Sequence, residues 1–151
     1  MKKVLFVCTA NICRSPMSEA IFNALAGDMG ISVRAESAGT AALRGRGMAP
    51  NAVAALVEAG IYPEAHRARQ VSDALLENSE LVLAMTPQHV AEIGSLYGGL
   101  AREVYTLPEY ATGASTREGI PDPYGHTMTA YRSSVRQLYK YVEGIANRLA
   151  R

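Results

Sequence analysis

The chain has 151 residues, 48% of them hydrophobic, and its 15 Lys and Arg nearly balance 14 Asp and Glu for a formal charge of +1. That length suits one domain, residues 1–151, with a sizeable core, and the balance excludes the global basic field that draws a protein to nucleic acid. Twelve of the fifteen basic residues are arginines, so anion recognition has to rest on local sites.

Met1-Lys2-Lys3 ahead of an apolar run imitates the start of a signal peptide, but the run turns polar at Thr9-Ala10-Asn11, too soon for a secretory core. Residues 3–8 read as a fully buried strand, β-branched at Val4 and Val7. From Ser15, Met17, Ala20, Ile21, Ala24 and Leu25 recur at helical spacing, with Pro16 in the first turn and Gly27 near the expected stop. Residues 31–38 read as a second strand ending in the turn Ser37-Ala38-Gly39-Thr40. Residues 43–50 form a Gly- and Arg-rich loop, and residues 51–59 a helix stopped by Gly60. Leu81-Val82-Leu83-Ala84 is the third strand, Pro87 opens a helix through Ile93, and residues 103–106 are a short fourth strand. Residues 108–123, with three prolines and two glycines, read as a loop, and residues 127–149 as a long amphipathic helix. Alternating strands and helices predict an α/β fold, a doubly wound four-stranded parallel sheet with helices on both faces.

In such sheets ligands bind beyond the carboxyl ends of the strands, where Cys8-Thr9-Ala10-Asn11-Ile12-Cys13-Arg14-Ser15 lies. A loop of this length can curl so that successive backbone N–H groups face one tetrahedral oxyanion, with the next helix adding its positive N-terminal end. Arg14 supplies a planar fork for two phosphate oxygens, and a positive field of that kind favours the Cys8 thiolate. Asn11 tolerates the left-handed backbone that so tight a loop needs. Ser15 can donate to the thiolate, cap the helix, or do both. Cys13, inside the same loop, either packs beneath it or traps an oxidised Cys8 as a reversible disulfide. Asp122, held between Pro121 and Pro123, is the candidate proton donor to a leaving oxygen, although Pro-Asp-Pro is also an ordinary turn signal.

Residues 8–15, the Arg67-Ala68-Arg69-Gln70 segment and Asp122-Pro123-Tyr124 together resemble the low-molecular-weight protein tyrosine phosphatases. The resemblance implies a phosphocysteine mechanism with Cys8 as nucleophile, Arg14 as phosphate clamp, Ser15 as thiolate stabiliser and Asp122 as acid, then base. Thr9, Ala10, Asn11, Ile12 and Cys13 complete the phosphate loop, while Asn11, Ser37 and His66 match the network that braces it. Two departures bear on the substrate. Gly125 stands where phosphotyrosine-specific members often have a second aromatic residue, and Leu43 is the nearest occupant of a frequent aromatic wall. Gly125 and the stretch around Tyr105 and Tyr110 look more like the bacterial branch that includes protein arginine phosphatases. Those arginine-specific members carry threonine where this chain has Ile12.

Ile12 beside Tyr124 suits a flat aromatic ring, so the expected substrates are phosphotyrosine-bearing proteins or peptides, with phosphoarginine as the alternative. Arsenate reductases of this fold need further cysteines to pass on the oxidation, and none follows Cys13. A non-catalytic phosphoprotein-binding module would not need both Cys8 and Asp122. No metal or cofactor is implied: His66, His89 and His126 lack ligand spacing, and Gly45-Arg46-Gly47 lacks the third glycine of a dinucleotide loop. With two cysteines too close together to staple a fold and no segment of membrane-spanning length, a soluble cytoplasmic protein is expected.

Overall fold

The computed structural model describes residues 2–98 and 103–151; Met1, which began the signal-like segment, lies outside them. Four parallel strands form one sheet: β1 (Lys3–Cys8), β2 (Arg34–Gly39), β3 (Leu81–Ala84) and β4 (Val104–Thr106), in the order β2-β1-β3-β4. The α/β expectation holds. Alternation along the strands divides the core. Val4, Phe6, Leu81 and Leu83 face one helical layer, while Leu5, Val7, Val82 and Ala84 face the other, as a period of two requires. The first layer holds α1 (Arg14–Met29), α2 (Pro50–Glu58), α5 (Leu107–Thr112) and α6 (Met128–Leu149). The second holds α3 (Asp73–Glu77) and α4 (Pro87–Tyr97).

Several boundaries differ from the sequence reading. Helix α1 runs through Gly27 and ends at Met29, where Gly30 takes the left-handed conformation at φ 68° and its N–H bonds the Ala26 and Gly27 carbonyls; a glycine three residues further on makes the better αL cap. Strand β2 begins at Arg34 rather than Ile31, because Arg34 is the first residue that pairs with β1, opposite Lys3. Helix α4 continues to Tyr97. The supposed loop from Pro108 opens instead within α5, whose N-cap Thr106 hydroxyl accepts from the Glu109 N–H at 3.2 Å. Helix α3 is capped in the same way by Ser72 and was not foreseen.

Strand β1 sits between β2 and β3, so the chain leaves it in opposite directions on its two sides. The carboxyl end of β1 is therefore a topological switch point, the place where a crevice opens in this class of sheet. Cys8 ends β1 there, opposite Gly39 of β2.

Candidate active site

Residues 9–13 link β1 to α1, and hydrogen bonds fix their orientation. The carbonyls of Cys8, Thr9, Ala10 and Ile12 accept from the N–H groups of Thr40, Ala41, Leu43 and Ala49 at 2.9–3.0 Å, and that of Cys13 from Met17 at 3.0 Å. The Asn11 carbonyl accepts from His66 Nε2 at 2.7 Å. Every carbonyl from Cys8 to Cys13 thus faces the surrounding protein. In a planar trans peptide the N–H opposes the carbonyl, so the amides of residues 9–14 turn to the inside of the loop. Among the described residues, none of the amides of residues 9–13 donates to a protein acceptor. Such a ring, ending at the N-terminus of α1, is a cradle for an oxyanion.

Asn11 makes the curl possible. It is the only non-glycine residue with positive φ among those described, at 61°, and its fully buried side chain is saturated. Nδ2 donates to Ser15 Oγ at 2.8 Å and Ser37 Oγ at 3.0 Å, while Oδ1 accepts from the Arg69 N–H at 3.0 Å. Ser37 in turn donates to Glu19 Oε1 at 2.6 Å. Ser15 Oγ accepts from Asn11 and lies 2.9 Å from the Cys8 sulfur and 3.4 Å from the Ala38 carbonyl, the sulfur being the nearer partner for its own proton. Gly39 is obligatory for a different reason: a Cβ there would run into the Thr9 carbonyl.

Arg14 is 6% exposed. Its Nη1 donates to the Ile120 carbonyl at 3.0 Å and its Nη2 lies 3.6 Å from Asp122 Oδ2. The Ile120 N–H is itself bonded to the Met85 carbonyl just past β3 at 2.8 Å, which anchors the loop that carries Asp122. The other Asp122 oxygen accepts from the Tyr124 N–H at 3.1 Å, an Asx turn that fixes the carboxylate's direction. Cys8, Thr9, Ala10, Asn11, Ile12, Cys13, Arg14, Leu43, Asp122 and Tyr124 together line a pocket of about 110 Å³. A roomier groove of about 220 Å³ lies between α1 and residues 62–66, but none of residues 8–14 lines it.

Ser37 and His66, each bonded to Asn11, stand behind the loop. Cys13 lies under it, 3.4 Å from the Tyr131 hydroxyl. Burial pushes its thiol up to about 11 against the lowering effect of that bond, so in this arrangement it is a weak nucleophile at neutral pH, which favours packing as its role.

Three further side chains, to which the sequence alone assigned no role, complete the site. His89, 4% exposed, places Nε2 2.8 Å from Thr9 Oγ1 and Nδ1 2.9 Å from Thr86 Oγ1. Burial, with help from the Arg14 charge, holds its imidazole below the ordinary range, and a neutral ring donates to one of the two hydroxyls and accepts from the other. Gln70 joins the Thr40 carbonyl to the Ala42 N–H. Arg69 Nε donates to the Ser37 carbonyl at 3.1 Å. Arg69 and Gln70 belong to the Arg67-Ala68-Arg69-Gln70 segment that carries the family resemblance, whereas His89 had been read only as lacking metal-ligand spacing.

Residues 3–151 match the family described as low molecular weight phosphotyrosine protein phosphatase. The chain belongs to that family. It is accordingly a cysteine-dependent phosphoric monoester hydrolase. A Bacillus subtilis (strain 168) protein named protein-arginine-phosphatase is 38% identical over 97% of this chain and 95% of its own. The low molecular weight protein-tyrosine-phosphatase PtpB of Staphylococcus haemolyticus is 35% identical over 90% and 91%. The structure of a cysteine-to-serine mutant of the YwlE arginine phosphatase, with a phosphorylated active-site serine, superimposes with a TM-score of 0.92 at 37% identity, covering 97% of this phosphatase and 95% of that chain.

Proposed function

We propose that this phosphatase hydrolyses phosphotyrosine in proteins or peptides through a phosphocysteine intermediate. Cys8 attacks phosphorus as its thiolate, forming the S–P bond while the P–O bond to the phenol breaks. Asp122 gives its proton to the departing oxygen. The carboxylate so formed then takes a proton from water as the water oxygen attacks phosphorus, releasing phosphate and the Cys8 thiolate. The inward amides and the Arg14 fork hold the three equatorial oxygens throughout, so catalysis is chiefly electrostatic preorganisation. A relative whose active-site serine carries phosphate supports a phosphorylated nucleophile.

The observation that carries the choice of substrate is the make-up of the wall above the cradle. Ile12, Leu43 and Tyr124 give it an apolar surface, with Asp122 as its one acid. A ring gains by burial there, whereas a guanidinium loses solvation without enough acceptors to replace it. Phosphoarginine is the second reading, favoured by the name of the 38% identical relative and by the carboxylate of Asp122, which can accept from a guanidinium. Two free cysteines at the site suit a reducing cytoplasm.

The experiment measures kcat/KM on matched phosphotyrosine and phosphoarginine peptides and on an aryl phosphate. The expected result is a phosphotyrosine preference, with all turnover lost in Cys8→Ser while the protein stays folded, since serine is not ionised at neutral pH. A wild type that prefers phosphoarginine overturns the substrate, and a folded Cys8→Ser that keeps its activity overturns the mechanism.

A further inference from the structure

The segments beside the pocket carry unpaired positive charge. Arg44, Arg46 and Arg67 are exposed, and their side chains make no hydrogen bond or ion pair among the described residues. Arg14, Arg34, Arg69 and Arg132, by contrast, each pair with a carboxylate. Two backbone bonds bring the three together: the Gly45 N–H donates to the Ala68 carbonyl at 2.9 Å, and the Ala68 N–H to the Arg46 carbonyl at 2.8 Å. These paired segments are tied to the cradle at both edges. Leu43 lines the pocket and its N–H bonds Ala10, while His66 bonds Asn11. No Asp or Glu occurs in residues 37–57 or 65–72, so nothing on either segment neutralises the arginines.

We propose that this arginine rim recognises acidic residues flanking the phosphorylated residue of a protein substrate. The proposal rests on the reading that the pocket takes the phosphoryl group of a peptide, whichever residue bears it. With that group in the cradle, the next few residues of an extended peptide, each adding about 3.3–3.6 Å, cross the pocket edge where residues 43–47 and 66–70 lie. Guanidinium forks match carboxylates in geometry as well as charge. With a formal charge of only +1 over the whole chain, the attraction is local to this edge and selects among substrates.

The test uses three phosphotyrosine peptides with acidic, neutral or basic flanks, the wild type, and the triple variant Arg44→Gln, Arg46→Gln, Arg67→Gln. At ~50 mM salt the wild type should favour the acidic over the basic peptide by about tenfold in kcat/KM, mostly through KM, and the gap should narrow at ~0.5 M salt. The triple variant should lose that preference while hydrolysing a small aryl phosphate at the wild-type rate. Dissociation constants measured on Cys8→Ala, which has no nucleophile to phosphorylate, should rank the peptides in the same order. Equal handling of acidic and basic flanks, or a preference that survives in the triple variant, overturns the rim. Failure of the wild type to hydrolyse the aryl phosphate overturns the phosphatase reading instead, and the Cys8→Ala affinities then still decide the question of the flanks.

Discussion

At the residue scale the site divides one task among three side chains with different surroundings. Cys8 and Arg14 are buried, while the Asp122 side chain is 52% exposed and so reachable by water, as the proposed acid and base must be. If Asp122 is the acid, Asp122→Ala should slow phosphorylation by about 10²–10⁴-fold for a basic leaving group and much less for an acidic phenol, which departs readily without a proton. A leaving-group series followed by rapid-quench burst kinetics checks this; a uniform loss across the series would assign the proton to another group. Ile12 is 3% exposed and still lines the pocket, so it is placed to read the leaving group. Ile12→Thr should move the kcat/KM ratio toward phosphoarginine by roughly tenfold, the effect of about 1.4 kcal/mol of differential binding. An unchanged ratio would show that the wall is read elsewhere.

At the element scale, the end of β2 and the loop after β1 must meet with no atom to spare. Gly39→Ala puts a methyl group against the Thr9 carbonyl, and because the obstacle is backbone the loop itself has to move. Such overpacking costs about 1–3 kcal/mol, or roughly 2–10 °C in Tm for a chain of this size, and a displaced amide should also weaken inhibition by inorganic phosphate. Thermal scans and phosphate inhibition constants would expose the error if both stayed at wild-type values. The two helices that escaped the sequence reading also belong here. Thr106-Leu107-Pro108-Glu109 carries a capping pattern, and the Thr106 hydroxyl bonds the Glu109 carboxylate as well as its N–H. With three prolines and two glycines in residues 108–123, composition outweighed that local signal, and α5 has only six residues, too few for a visible period.

At the scale of the whole molecule, α6 is the beam beneath the site, packing on α1, α2 and α5. Tyr131 from its first turns meets Cys13, and Leu138 is fully buried in the larger core. Leu138→Ala should cost about 2–5 kcal/mol and lower Tm by roughly 5–15 °C. At 25 °C kcat/KM should stay within a few-fold, since an ordinary domain has about 5–15 kcal/mol in hand. Calorimetry beside a room-temperature assay checks both halves, and a large loss of turnover in the folded variant would mean that the helix tunes the chemistry directly.

What the sequence determined by itself is local in origin. Apolar alternation in β1 and β3, the helical period after Ser15, and a cysteine, arginine and serine spaced for one curled loop are all written within a few residues of each other. The backbone obeys them wherever they stand, so sheet class, cradle and the left-handed Asn11 were legible. Tertiary structure alone decided which distant groups complete the cradle. The Ile120 carbonyl that steadies Arg14, the His89 ring against Thr9, and the pairing of residues 43–47 with 66–70 are contacts between segments distant in the chain. Their partners carry no shared pattern along the chain. Only the parallel order β2-β1-β3-β4, which gathers the loops at the carboxyl ends of its strands, brings them together.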